Sequence, residues 1–429
     1  MEGALRATFL KELFKDKKFS IAFCLLSVIS IFLLFFSGEY ADVFRYHASW
    51  CHYIQDSGLF HIYDNSVVAF NYDYPPIVSF LLFPFSYFID LLYLVFFQLG
   101  ESVITRSIVI PSSHPLYQVF MFLVKVPFII PNVVFVIYVY KKISKKFALA
   151  WIVNPLFIID LLSYGQSDTL LCICLFFMLK YFYDKKYTSA TIWFAIGCLT
   201  KLQMLYFAPI FLVLLLKSKS IKKIFSCIGI GLSIGIVVFL PFMIASKNIF
   251  LPFDVYLGGF GKYTGITFAS NIWWIVKNFV GLNIELISDI PGGSILNIVL
   301  FLSIILFFSW KIFKKENFLP YVALYMFSIF EFCLLQHERY VVPAIVPLMM
   351  LLFLYGNKTY SKATYVLAIT GTIEIASHMG YNYSDMSVSP QIFSFVDFIC
   401  VFGFIIAFIL LVRSVLLEEK SRKKIIQTS

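Results

Sequence analysis

Apolar runs of 13 to 26 residues recur from position 20 to position 414, separated by short polar stretches. Their lengths predict membrane-crossing helices. The alternating polar positions of a membrane β-barrel are absent. Twelve crossings are expected, at 20–36, 115–140, 147–163, 168–183, 188–200, 203–216, 221–245, 294–313, 318–335, 340–356, 362–380 and 391–414. Several are shorter than the roughly 20 residues that a full span needs. Half-length helices flanking polar turns predict a cavity that opens to one membrane face. The apolar stretch 75–98 is expected to make no net crossing, as a helix broken at Pro84 that lies at the interface or re-enters. A crossing there would put Lys141, Lys142, Lys145 and Lys146 on the outer side.

Charge fixes the expected orientation. The segments 1–19, 141–146, 184–187, 217–223, 311–316, 357–362 and 413–429 hold 25 of the 34 Lys and Arg residues but 7 of the 24 Asp and Glu. The positive-inside rule then places both termini in the cytoplasm. The first run, 20–36, has basic flanks without a small-residue cleavage site, so it reads as a retained helix. The basic loops are short and scattered, which fits anionic lipid as their partner and implies no nucleic acid.

Composition agrees with this pattern. The chain has 429 residues, 60% of them hydrophobic, and a mean hydropathy of +0.87. An ordinary soluble domain is excluded. The expected organisation is one all-α polytopic membrane domain over 1–429, with long outer loops at 37–74 and 246–293. No repeat on the scale of the fold is visible, which weakens an inverted-repeat transporter. Seven of the eight cysteines fall within apolar runs, with neither a disulfide framework nor zinc spacing. Lys/Ile/Phe-rich usage suggests a bacterial plasma membrane.

Six polar clusters interrupt the apolar sequence, and on this topology all lie on the outer side. His337-Glu338-Arg339-Tyr340 is the sharpest. A charged side chain near the middle of a bilayer costs roughly 2.5–3.5 kcal/mol. Arg339 suits bidentate contact with a phosphate, and His337 adds a second donor; the alternative is an interfacial ion pair with Glu338. Asp42, just past the first run, is a candidate general base, or an acid pairing with Arg45. Asp73, before Pro75 and Pro76, is placed to cap a helix start or to hold an acceptor or a divalent ion. In Gly165-Gln166-Ser167-Asp168, Gly breaks a helix, and Ser or Asp can cap the next; Gln166 and Asp168 are also candidate partners for sugar hydroxyls. Lys201, beside Gln203, suits a phosphate or the outer headgroups. Asn271, Trp273 and Trp274 read as an interfacial aromatic belt or a stacking wall for a sugar.

Taken in order, these residues resemble the GT-C superfamily of integral-membrane glycosyltransferases, and more closely bacterial relatives of the second mannosyltransferase of GPI-anchor synthesis. The matching string is Glu39-Tyr40-Ala41-Asp42, with Trp50 and Gly58 beyond; Asp73-Tyr74-Pro75-Pro76; Asn154-Pro155, then Gly165-Gln166-Ser167-Asp168; Lys201-Leu202-Gln203; Asn271-Ile272-Trp273-Trp274; and His337-Glu338-Arg339-Tyr340 before Pro343. It covers about residues 38 to 347. The chain departs from the family pattern at Leu202, where proline is usual, and at Ala41, where glycine precedes the acid; Glu39 after Gly38 is therefore a second candidate base. The resemblance implies a GT-C-like helical bundle and an inverting transferase. The donor would be a polyprenyl-phosphate monosaccharide, with mannose the family's usual sugar, and the acceptor a glycan or lipid. Asp42 or Glu39 would be the catalytic base. Arg339, His337 and Lys201 would hold the donor phosphate, and Asp73, Tyr74, Gln166, Asp168, Gln203, Asn271, Trp273 and Trp274 the substrates. No cofactor is certain, and a divalent cation stays open because no ligand set compels one. The competing expectation is a transporter or flippase of a lipid-linked saccharide, which would carry polar groups on both sides of a path.

Overall fold

The computed structural model describes residues 46–64, 72–98, 117–261, 269–279, 291–334, 336–383 and 390–428. Glu39, Asp42, Arg45 and the first apolar run lie outside them. Within the described residues every regular element is helical. The helices are α1 (Ser49–Ser57), α2 (Pro76–Gln98), α3 (Tyr117–Lys142), α4 (Lys145–Ile152), α5 (Pro155–Ile158), α6 (Asp168–Tyr183), α7 (Tyr187–Cys198) and α8 (Ala208–Leu216). They continue as α9 (Ile221–Ala245), α10 (Leu251–Gly261), α11 (Ile272–Phe279), α12 (Pro291–Lys314), α13 (Leu319–Phe332), α14 (Ile345–Met349), α15 (Ser361–Tyr383) and α16 (Pro390–Thr428).

Four of these helices are long and apolar enough to cross a membrane: α3, α9, α12 and α16. Their outward faces carry Ile, Leu and Phe, as at Phe225, Leu232 and Ile236 on α9 and Ile298, Leu302 and Leu306 on α12. Such exposed apolar stripes need lipid to cover them. The chain is a helical membrane protein. Twelve crossings are not found among the described residues; the count is four, or five if the bent pair α4 and α5 forms one span. The expected segments from 115 onward do form helices, but several are too short. Pro155 ends α4 by forcing Asn154 out of helical geometry, and the chain bends by 52° there. Polar Thr, Ser, Glu374 and His378 keep α15 below the apolarity of a span, although it has 23 residues. Pro84 does not break its helix: α2 runs unbroken through it, beginning at Pro76 as expected from the paired prolines.

The core centres on α6 and α13, whose residues are almost all buried. Their packing also aligns the two ends of the bundle. At one end, the ring of Tyr183 lies 4.4 Å from that of Tyr355, and Lys217 Nζ donates to the Ile312 and Lys315 carbonyls. Glu418 and Glu419 of α16 join this end by accepting from Tyr360, Asn317, Asn357, Lys315 and Tyr321. At the opposite end of α6 sits Asp168. Gly197 lets α7 approach α6 closely, since a Cβ there would lie 3.1 Å from the Cys174 Cβ. That approach brings the residue following α7's last turn, Lys201, beside Asp168.

Candidate functional site

A cavity of about 310 Å³ lies at the Asp168 end of the bundle. Asp73, Tyr74, Lys201, Gln203 and Arg339 all line it, although 266 positions of sequence separate the first from the last. Tyr206, Gln336 and Tyr340 add further polar or aromatic wall, and Ile298 and Phe301 of α12 close one side. Ile298 is 56% exposed, so this wall continues into the lipid-facing surface of α12.

Each segment is held by local chemistry. The turn carrying Asp73 is fixed from below by aromatic packing, with Trp50 4.7 Å from Tyr72 and 5.4 Å from Tyr74 between ring centroids. Tyr63 Oη donates to the Tyr74 carbonyl at 2.7 Å, and Tyr72 Oη donates to that of Pro75 at 3.0 Å. The Leu199 carbonyl accepts from the Ile77 amide at 2.9 Å, tying the loop of Lys201 to the start of α2. Gln203 turns into the cavity, and its buried Oε1 has no protein hydrogen-bond partner among the described residues. The segment 336–340 is braced through the Ala269 amide, which donates to the Gln336 carbonyl at 3.1 Å. The neighbouring Ser270 amide donates to Glu374 at 2.6 Å, anchoring that brace on α15.

The two cations on the wall share one buried carboxylate. Asp168 Oδ2 lies 2.6 Å from Lys201 Nζ and 3.7 Å from Arg339 Nε. Asp168 is the first residue of α6, where the helix dipole also favours an anion. Arg339 has a second carboxylate at 3.4 Å, Glu338, whose other oxygen lies 3.6 Å from His337 Nδ1. Burial pushes the Glu338 carboxyl up, but His337 and the Arg339 charge outweigh it and hold the group well below the usual carboxylate range. Glu338 therefore stays ionised at neutral pH. The stability this contributes is present above its unfolded value and is lost only as strong acid protonates it.

These contacts place the residues picked out from sequence. Asp73, Tyr74, Lys201, Gln203 and Arg339 share the cavity. Asp168 and His337 lie behind its wall as partners of Lys201 and Glu338. Gln166 is fully buried and is not among the lining residues. Asn271 Nδ2 donates to the Phe330 and Cys333 carbonyls, and its Oδ1 accepts from the Trp273 amide. Trp273 Nε1 donates to the Phe332 carbonyl at 2.9 Å. Both side chains thus satisfy the open carbonyls at the end of α13, where a helix leaves such groups unpaired, and neither lines the cavity. Trp274 packs with Phe279 and Phe398, away from it. The expected side-chain cap at Ser167 is not made. Among the described residues no group of three His, Cys, Asp or Glu side chains is placed to hold a metal ion.

Lys125 and Tyr164 are among the buried residues of this region that escaped the sequence reading. Lys125 is a cation within the apolar body of α3, well before Lys141 and Lys142 in its last turn, and its Nζ donates to the Leu162 and Ser163 carbonyls at 2.6 and 3.2 Å. That isolated charge was the available signal. Tyr164 Oη donates to Glu338 at 2.5 Å across 174 positions of sequence; the signal nearby was the adjoining Gly165-Gln166-Ser167-Asp168 cluster, which the tyrosine directly precedes.

No protein-family model matches the chain, and no curated protein matches it. The likeness to GT-C glycosyltransferases rests on the six motifs.

Replacing Asp168 with asparagine leaves Lys201 and Arg339 without their common anion. A loss of about 3–5 kcal/mol is expected, because removing one partner strands a buried charge. Thermal unfolding of the purified variant checks this; a midpoint equal to that of the parent protein would show that Asp168 is not their anchor.

Proposed function

We propose that the protein is an inverting glycosyltransferase that moves a monosaccharide from a polyprenyl-phosphate donor to a glycan or lipid acceptor. The observation that carries this reading is the pairing of Lys201 and Arg339 on one cavity wall whose apolar side belongs to a lipid-facing helix. A lipid phosphate needs both features at once: cations for its head and access from the bilayer for its tail. Asp73, Gln203 and the tyrosines supply hydrogen-bonding and stacking surface for a sugar. The basic residues Lys217, Lys315 and Arg422 lie at the opposite end of the bundle, which, with the positive-inside rule, supports a cavity on the non-cytoplasmic face and both termini inside. The setting we infer for it is a bacterial plasma membrane. Mannose is the sugar the resemblance favours.

In the reaction, Asp42, or else Glu39, takes the proton from the acceptor hydroxyl. The oxygen attacks the anomeric carbon from the face opposite the phosphate. The bond between that carbon and the phosphate oxygen breaks, and the lipid phosphate leaves with the electron pair. Arg339 and Lys201 stabilise the charge it gains. His337 acts through Glu338 rather than on the substrate.

The reading is tested with purified protein in liposomes, radiolabelled polyprenyl-phosphate mannose and a panel of lipid and glycan acceptors. Label moving to an acceptor supports transfer. Label crossing the bilayer unchanged would instead favour a flippase, and neither outcome occurring with any donor sugar would reject both.

A further inference from the structure

Tyr164 sits behind the cavity wall, 1% exposed, where an apolar residue would ordinarily pack. It contacts the phosphate-facing arginine in two ways and that arginine's carboxylate neighbour in a third. Its hydroxyl donates to Glu338 Oε1 at 2.5 Å. Arg339 Nη1 donates to the same hydroxyl at 3.4 Å. The guanidinium carbon lies 5.6 Å from the centre of its ring, within range of a cation–π contact.

We propose that Tyr164 is the positioning residue that sets where the Arg339 guanidinium lies on the cavity wall, and so how tightly the site holds a phosphate monoester. This rests on the phosphate reading above and adds the element that tunes it. Glu338 is a neighbour of Arg339 in sequence and a potential competitor for it. An unopposed arginine–carboxylate pair closes to roughly 2.7–2.9 Å, with two parallel bonds. Here the closest approach is 3.4 Å. The tyrosine proton takes the short bond to Glu338 Oε1, which leaves Arg339 Nη1 a long 3.4 Å contact with the same oxygen, and the tyrosine ring packs against the guanidinium. Arg339 is thereby kept from collapsing onto its neighbour and stays between Asp168 and the cavity.

The backbone explains why Tyr164 holds this place. Lys125 ties the two carbonyls just before it. Gly165 follows at φ +69°, a conformation that side-chain-bearing residues seldom adopt, and it turns the chain toward α6. The tyrosine is thus clamped on both sides.

The variant Tyr164→Phe keeps the ring and removes the proton. In full-length protein reconstituted in nanodiscs, its affinity for farnesyl phosphate is expected to fall about tenfold, the loss of roughly one charge-assisted hydrogen bond. Adding Glu338→Gln should restore most of that affinity, because a neutral amide no longer competes for the guanidinium. A residue that merely fills space would leave the two losses additive. Affinity in Tyr164→Phe equal to that of the parent, or additive losses, would overturn the proposal. A second readout does not depend on the function: the rate at which phenylglyoxal modifies Arg339, followed by mass spectrometry. It is expected to slow in Tyr164→Phe and recover in the double variant. If the parent protein binds no farnesyl phosphate, the phosphate reading fails, and the labelling rates alone decide Tyr164; equal rates in parent and Tyr164→Phe would refute its role.

Discussion

Replacing Arg339 with alanine is expected to lower sugar transfer by about 10²–10³-fold, the usual effect of removing one preorganised donor to a developing charge. Arg339 lines the cavity and is oriented by two carboxylates and a tyrosine, so on the proposed reading the cation would meet the leaving phosphate without having to reorganise. Its replacement by lysine should restore little of the rate. An ammonium is a point charge that cannot reproduce the planar fork held between Asp168 and Tyr164. Steady-state kinetics with a polyprenyl-phosphate sugar checks this, provided the variant keeps the parent's elution profile in detergent. A kcat/KM within a few fold of the parent in both variants would remove Arg339 from the phosphate site.

Asp42→Asn should cost about 10²–10⁴-fold in kcat, the range expected for loss of a general base. An asparagine has nearly the same shape but cannot accept the acceptor's proton. Donor binding should survive, because the cations proposed to hold the phosphate sit on other segments. The loss should therefore fall in kcat, whereas Arg339→Ala should raise KM for the donor as well. Glu39→Gln is the comparison that assigns the base: the variant with the deeper loss in kcat carries it. Near-parental turnover of Asp42→Asn, with Glu39→Gln inactive, would transfer the role to Glu39.

Much of the scaffold was legible from hydropathy. The runs at 115–140, 221–245, 294–313 and 391–414 correspond to α3, α9, α12 and α16, the helices both long and apolar enough to span among the described residues. The number of crossings was not legible in this way. Hydropathy counts apolar residues, whereas span length depends on where the backbone is interrupted, as at Asn154-Pro155. Pro84 shows the opposite error: it stands on an exposed face of α2, and the helix continues through it.

At the site, the sequence marks polar residues that cannot be cheaply buried, and this was enough to pick Asp73, Lys201, Gln203 and Arg339. It does not say whether the partner of such a residue is a ligand or another part of the chain. Asp168 partners Lys201, and Asn271 and Trp273 complete the end of α13, all of them absorbed by the fold. Tyr164 was invisible for a related reason. A tyrosine in an apolar run resembles any core aromatic until a contact 174 positions away gives its hydroxyl a purpose.

The most direct measurement is photo-crosslinking with a polyprenyl phosphate that carries a diazirine near its head, followed by peptide mapping of the labelled protein. Label is expected on Leu202 and Tyr206 and on α12 at Ile298 and Phe301, and it should be lost in Arg339→Ala. Label spread over the outer faces of α9 and α16, or gathered at the far end around Tyr360 and Glu418, and unchanged by Arg339→Ala, would contradict a lipid-phosphate site in this cavity.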